Sequence, residues 1–190
     1  VLGEAISNSW DADAQNVYIT IDRDANYMSI RDDGNGMTSE DFQNKFLKIG
    51  YSKRKNGDSK SLLGRPFIGR KGIGKLALLS CAKRVSIATK TLESETVGGI
   101  IDNSKLDEAI TDDLIAQEYR LEALDDKSLV FMRDISKGTL LEFHSISDGI
   151  SNTVEYIKKA IALYFRFSLI DKNFNIYVND FEDIIFFHLV

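Results

Sequence analysis

The run Tyr27-Met28-Ser29-Ile30-Arg31-Asp32-Asp33-Gly34-Asn35-Gly36-Met37 decides how the rest of the chain is read. Apolar Met28 and Ile30 alternate with polar neighbours up to Asp32, the pattern of a half-buried strand, and two glycines placed two apart then break it. Working outward, Val17-Tyr18-Ile19-Thr20-Ile21-Asp22 alternates in the same way, so Arg23 to Asn26 reads as the turn of an antiparallel hairpin. Upstream of the hairpin, Val1, Leu2, Ala5, Ile6 and Ala12 recur at helical spacing, which predicts an amphipathic helix running to about Ala14. Downstream, Thr38 can cap a helix through about Ile49, with Asp41 in its first turn and Phe42, Phe46 and Leu47 on its apolar face. The Gly-x-Gly turn lets the backbone come close to a flat ligand, and a carboxylate at the strand end can accept a hydrogen bond from an exocyclic amine.

Farther along, Gly50 to Lys71 is polar, basic and Gly-rich and holds the sole proline, Pro66. Loops of this length inside a compact domain are uncommon unless functional or disordered, so this one reads as a functional loop or a floppy insertion. The pattern then predicts a helix over Gly72 to Ala82 and strands over Val85 to Thr91, Thr96 to Asp102, Glu118 to Leu124 and Thr139 to His144, with a short helix near Leu106 to Ile115. A helix over Ser151 to Leu169, a strand over Phe174 to Val178 and an apolar run from Ile184 to Val190 complete the chain. No repeat or linker divides it. The order predicts one α+β domain over residues 1–190, a largely antiparallel mixed sheet with helices layered on one face.

Composition narrows the function. With 190 residues the chain can bury a core without staples. One cysteine rules out an internal disulfide, and two histidines, His144 and His188, are too few for a zinc cluster. The thiol and the absence of a membrane-length apolar run point to a reducing cytoplasm. Val1 falls inside the predicted first helix, so the chain reads as a fragment of a longer protein with a following domain. The net charge of -5 conceals a strong asymmetry, because Lys45 to Lys75 carries ten basic residues against Asp58 alone. That positive charge gathers on the loop and suits a small polyanion.

Two further motifs flank the Asp32 turn. In Glu4-Ala5-Ile6-Ser7-Asn8-Ser9-Trp10-Asp11-Ala12, Glu4 and Asn8 share a helix face, and a carboxylate beside a carboxamide suits a hard cation with phosphate oxygens and an activated water. Gly69-Arg70-Lys71-Gly72-Ile73-Gly74-Lys75 opens a predicted helix, where bare amides and the helix dipole favour phosphate and the basic side chains add charge. It matches neither the P-loop nor the dinucleotide fingerprint. Cys81 reads as a buried structural thiol, and Trp10 as core or the pocket edge.

The three motifs in this order resemble the GHKL superfamily of gyrase B, the chaperone HtpG, histidine kinases and the mismatch-repair protein MutL, with Gly138-Thr139-Leu140-Leu141-Glu142-Phe143 similar to the strand that closes its nucleotide pocket. The resemblance implies a Bergerat two-layer α/β sandwich with a long lid, here about residues 50–71. It implies Glu4 as general base, Asn8 as Mg²⁺ ligand, and Asp11 and Ala12 beside the adenine. Asp32 corresponds to the carboxylate that takes the adenine amino group, Gly34 and Gly36 to the turn glycines, and Met37 to the apolar residue on the ring. Asp33 falls at a variable position. Thr139 corresponds to a hydroxyl that supports Asp32. Gly69, Gly72, Ile73 and Gly74 resemble the phosphate-cradling end of the lid, Lys71 and Lys75 join them on charge alone, and Gly50-Tyr51-Ser52-Lys53 resembles the other hinge.

Within the superfamily, Gly74-Lys75 departs from the acidic third motif of mismatch-repair members, and Glu4 departs from the needs of a histidine kinase. The lid stretch is most similar to chaperone-like and microrchidia-type bacterial members. The implied activity is Mg²⁺-dependent ATP binding and slow hydrolysis working as a conformational switch, with ATP or ADP as ligand and a homodimer forming on ATP binding. A nucleotide-regulated module without turnover, a histidine-kinase-type catalytic domain, and an adaptor whose basic loop binds acidic partners or DNA are the alternatives.

Overall fold

A computed structural model describes residues 1–47, 60–68, 80–103, 121–150, 153–165 and 171–179. In chain order these form α1 (Leu2–Asp11), β1 (Asn16–Asp22), β2 (Tyr27–Asp32), α2 (Ser39–Asp41), β3 (Ala82–Lys90), β4 (Val97–Asp102), α3 (Asp126–Arg133), β5 (Gly138–Ile146), α4 (Val154–Tyr164) and β6 (Asn175–Val178). The strands make one six-stranded sheet in the order β4-β3-β5-β2-β1-β6. Every neighbouring pair is antiparallel except β1 with β6, which is parallel. This is the mixed, mostly antiparallel α/β architecture that the chain's pattern predicts.

Alternation decides which side of the sheet is buried, since successive side chains leave a strand on opposite faces. Val17, Ile19 and Ile21 of β1, Met28 and Ile30 of β2, Val85 and Ile87 of β3, Leu141 and Phe143 of β5 and Ile176 and Val178 of β6 pack into one core with Ala5, Ile6 and Trp10 of α1 and Ile157 and Ile161 of α4. Ile6, Val17, Val85, Ile87 and Phe143 have no exposed surface at all. Burying a side chain of this kind contributes roughly 1.5–3 kcal/mol each.

The pattern predicts helices on one face alone; instead the opposite face is covered at β3 and β5 by α3, whose Met132 packs on Ala88 and Leu140. Sequence periodicity does not foresee this helix. Its apolar residues stand side by side as Leu129-Val130-Phe131-Met132, and of these Met132 is fully buried while Val130 and Phe131 stay exposed. Asp125 starts it by accepting the Ser128 amide at 2.9 Å. The stretch read as a strand up to Leu124 contributes, among the described residues, the bridge of Glu122 to Ile100. Under α3, Glu142 is buried on hydrogen bonds from Ser128 Oγ (2.6 Å) and the Tyr27 hydroxyl (3.0 Å), and burial pushes the Tyr27 phenol up to about 12.

Thr38 does cap a helix, through Oγ1 to the Asp41 amide, but α2 widens after one turn into a π-helical turn over Phe42–Phe46. Phe42 and Phe46 stack there with centroids 5.6 Å apart and both are buried. The helix expected over Gly72 to Ala82, apart from its last residues, the helix near Leu106 to Ile115 and the run Ile184 to Val190 with His188 lie outside the described residues. Among the described residues no helix is long and apolar enough to cross a membrane.

Candidate nucleotide-binding site

Strand register assembles the site. Asp32 lies opposite Val17 on one side and Thr139 on the other, and Thr139 lies opposite Thr89. Directly opposed residues of antiparallel strands share a face, so Asp32, Thr139 and Thr89 form one polar row at the end of the sheet, on the side that α1 covers. α1 supplies the contact, because Ser9 Oγ donates to Asp32 Oδ2 at 2.9 Å. The Gly34 amide donates to Asp32 Oδ1, also at 2.9 Å.

The turn after β2 is wedged between α1 and β3. The Asn35 amide donates to the Ala12 carbonyl at 2.8 Å, and a Cβ on Gly34 would stand 2.9 Å from both the Ala12 Cβ and Asp32 Oδ1. Gly36 has φ +66° and a Cβ there would run into the Lys90 carbonyl. Two glycines are therefore needed, one for close approach and one for a left-handed backbone. The Met37 amide donates to Thr89 Oγ1 at 3.1 Å, and the same hydroxyl donates to the Gly138 carbonyl at 3.0 Å.

Burial pushes the Asp32 carboxyl up to about 6; the Gly34 amide and Ser9 hydroxyl pull it down, while the neighbouring Asp33 charge adds to the rise. No cation among the described residues pairs with it. A buried carboxylate held by neutral donors alone is a good acceptor for an incoming amino group. Asp33 is turned elsewhere, accepting the Gln15 and Asn16 amides at 2.7 and 2.9 Å.

Glu4 and Asn8 are half-buried on α1, and among the described residues neither side chain has a hydrogen-bond partner. The described residues contain no group of three or more His, Cys, Asp or Glu able to hold a metal ion. One carboxamide next to one carboxylate fits Mg²⁺ that keeps its waters and phosphate oxygens better than it fits a protein-built cage. Asp11 is buried and accepts the Ile68 amide at 2.9 Å, and Met37 packs against the core edge. Thr139 faces Asp32 in register, yet its hydroxyl lies 3.1 Å from Thr89 Oγ1, and the hydroxyl that reaches Asp32 is that of Ser9. Gly69, Lys71, Gly72, Ile73, Gly74 and Lys75, with the Gly50 to Lys53 hinge, lie outside the described residues.

Sequence reasoning missed Ser9, Thr89 and Lys137, whose Nζ donates to Asn35 Oδ1 at 3.0 Å. A signal existed for the first two. Ser9 continues the apolar spacing of Leu2 and Ile6, and Thr89 continues that of Val85 and Ile87, so each is a polar residue at a core-facing position.

Comparison with known proteins identifies the family. Residues 1–128 match the family described as "Histidine kinase-, DNA gyrase B-, and HSP90-like ATPase". A Herpetosiphon aurantiacus protein named "Putative type II restriction enzyme HgiDII" is 32% identical over 170 residues, which is 90% of this chain and 26% of that protein. The chain thus spans about a quarter of that relative's length. The match across both the α1 motif and the Asp32 turn places the chain in the histidine kinase-, DNA gyrase B- and HSP90-like ATPase family, as an ATP-binding domain of the ATPase type.

Proposed function

We propose that the domain binds ATP with the adenine amino group on Asp32 and hydrolyses it slowly, as a nucleotide-driven switch within a longer, DNA-associated protein. The observation that carries the reading is the buried Asp32 carboxylate, fixed by Ser9 and Gly34 and lacking a cation among the described residues. In this reading Met37 packs on the adenine, and Glu4 takes the proton of the attacking water. Asn8 would hold Mg²⁺, which when bound neutralises phosphate charge. The basic run with Lys71 and Lys75, and the amides of Gly69, Gly72, Ile73 and Gly74, would receive the phosphates.

Calorimetry with ATP and ADP, with and without Mg²⁺, tests the assignment. Asp32→Asn should abolish measurable binding, and retained micromolar affinity would remove Asp32 from the adenine site. Glu4→Ala should keep ATP affinity and lose phosphate release; unchanged turnover would take the base role from Glu4.

The identity to a protein named as a restriction enzyme supports a role in DNA metabolism over a chaperone-like one, and the cytoplasm is the location we propose for it. Phosphate release by the full-length protein with and without DNA, together with its oligomeric state with and without ATP, separates a turning-over switch that dimerises on ATP from a regulatory module that only binds nucleotide.

A further inference from the structure

Arg65 belongs to the basic run yet is only 6% exposed, and charged residues are almost never buried unless paired. Its guanidinium is directed into the body of the domain. Nε donates to Asp171 Oδ2 at 3.0 Å, Nη1 to the Ala14 carbonyl and Nη2 to the Asn173 carbonyl at 3.5 Å. The group also lies 4.7 Å from the Trp10 ring and 5.3 Å from the Phe174 ring, which meet edge to face.

The segment that carries Arg65 is a built turn. The Ser61 amide donates to the Arg65 carbonyl at 2.8 Å, the Gly64 amide to the Ser61 carbonyl at 3.0 Å and the Arg65 amide to Ser61 Oγ at 3.1 Å. Three more bonds fasten it to the end of α1: Trp10 Nε1 to the Pro66 carbonyl (3.0 Å), the Leu63 amide to Asp13 Oδ2 (3.2 Å) and the Ile68 amide to Asp11 Oδ1 (2.9 Å). The stretch gripped here, Trp10 to Ala14, is continuous with the stretch that faces the Asp32 turn through Ser9 and the Ala12 carbonyl. Within it Asp13 is buried at φ +60°, and its Oδ1 has no partner among the described residues. A turn this strained persists only where its surroundings over-determine it.

We infer that Arg65 is a positioning residue that clamps the Trp10–Ala14 turn against the Asp32 turn and links nucleotide occupancy to the loop Asp171–Phe174 leading into β6. The inference rests on the adenine reading of Asp32. Three acceptors in different directions and two flanking rings demand a planar fork of donors, so lysine cannot substitute for it.

Trp10 is the sole tryptophan of the chain, so its emission reports the clamp directly. The experiment titrates ADP into the wild-type chain, Arg65→Lys and Asp171→Asn, by calorimetry and by Trp10 emission, with far-ultraviolet circular dichroism confirming folding. In the wild type ADP changes the emission saturably; both variants shift nucleotide-free Trp10 emission to the red and weaken ADP by about tenfold, a usual size for coupling between sites. ADP affinity within about twofold of wild type in a folded variant would overturn the inference, since that is below ordinary coupling. If Arg65→Lys does not fold, Asp171→Asn, which keeps the guanidinium and alters one half-exposed carboxylate, decides the matter. Should the wild type bind no ADP, the adenine reading fails by itself, and unshifted Trp10 emission in the variants would separately overturn the clamp.

Discussion

At Asp32 the fold holds a carboxyl that burial pushes from 3.8 to about 6. A group whose folded pKa lies above its unfolded one lends stability that is fully present below the unfolded value and is lost as pH rises through the folded value; for this shift the loss is on the order of 3 kcal/mol. Urea unfolding of the wild type should therefore show stability declining between about pH 4 and pH 6.5, and Asp32→Asn should flatten that slope. An identical slope in the variant would assign the titration to another group. An adenine amino group bound there as proposed would favour the charged carboxylate, so nucleotide affinity should fall as pH drops below about 6, with a proton released on binding near that pH. Calorimetry in two buffers of different ionisation heat measures that release directly. Asp32 itself is readable in the sequence, because a strand, a carboxylate and two spaced glycines are contiguous. Ser9 is not, since its bond to Asp32 spans 23 residues and depends on where the sheet places α1.

Among the elements, α3 shows how a helix can be set by its cap more than by its pattern. The Ser128 amide holds the Asp125 carboxyl below its usual range, assisted by Arg84. Asp125→Ala should cost about 1 kcal/mol and lower the melting temperature by roughly 2–4 °C in a chain of this size. The lowered pKa means that the cap's contribution exists above the unfolded value and fades as pH falls, so the deficit should shrink in acid. An unchanged melting temperature at neutral pH would leave Met132 as the anchor of α3. The β1–β2 hairpin, by contrast, is legible residue by residue, since period-two alternation and a four-residue turn fix its register with Asp22 opposite Tyr27. α2 starts where Thr38 predicts, but nothing in the local pattern signals its π-helical turn.

For the whole molecule, composition shows the basic run but not how part of it is used. Arg65 reads as one more surface cation, whereas its ion-pair partner Asp171 lies 106 residues away and the pair closes over Trp10. Long-range partners of this kind are invisible to spacing arguments, which see about four residues in a helix and two in a strand. The parallel pairing of β6 with β1 joins Asn16 to Asn175 and has a consequence for biosynthesis. At ordinary translation speeds β1 waits roughly 8–30 s before its last neighbour is made, and in that interval its outer edge of amides and carbonyls is open to strand addition. The Ser9–Asp32 bond can form early on the ribosome, while the Arg65–Asp171 pair cannot. A nascent chain stalled before residue 171 would therefore carry the beginnings of the proposed adenine pocket together with an unprotected, aggregation-prone β1 edge.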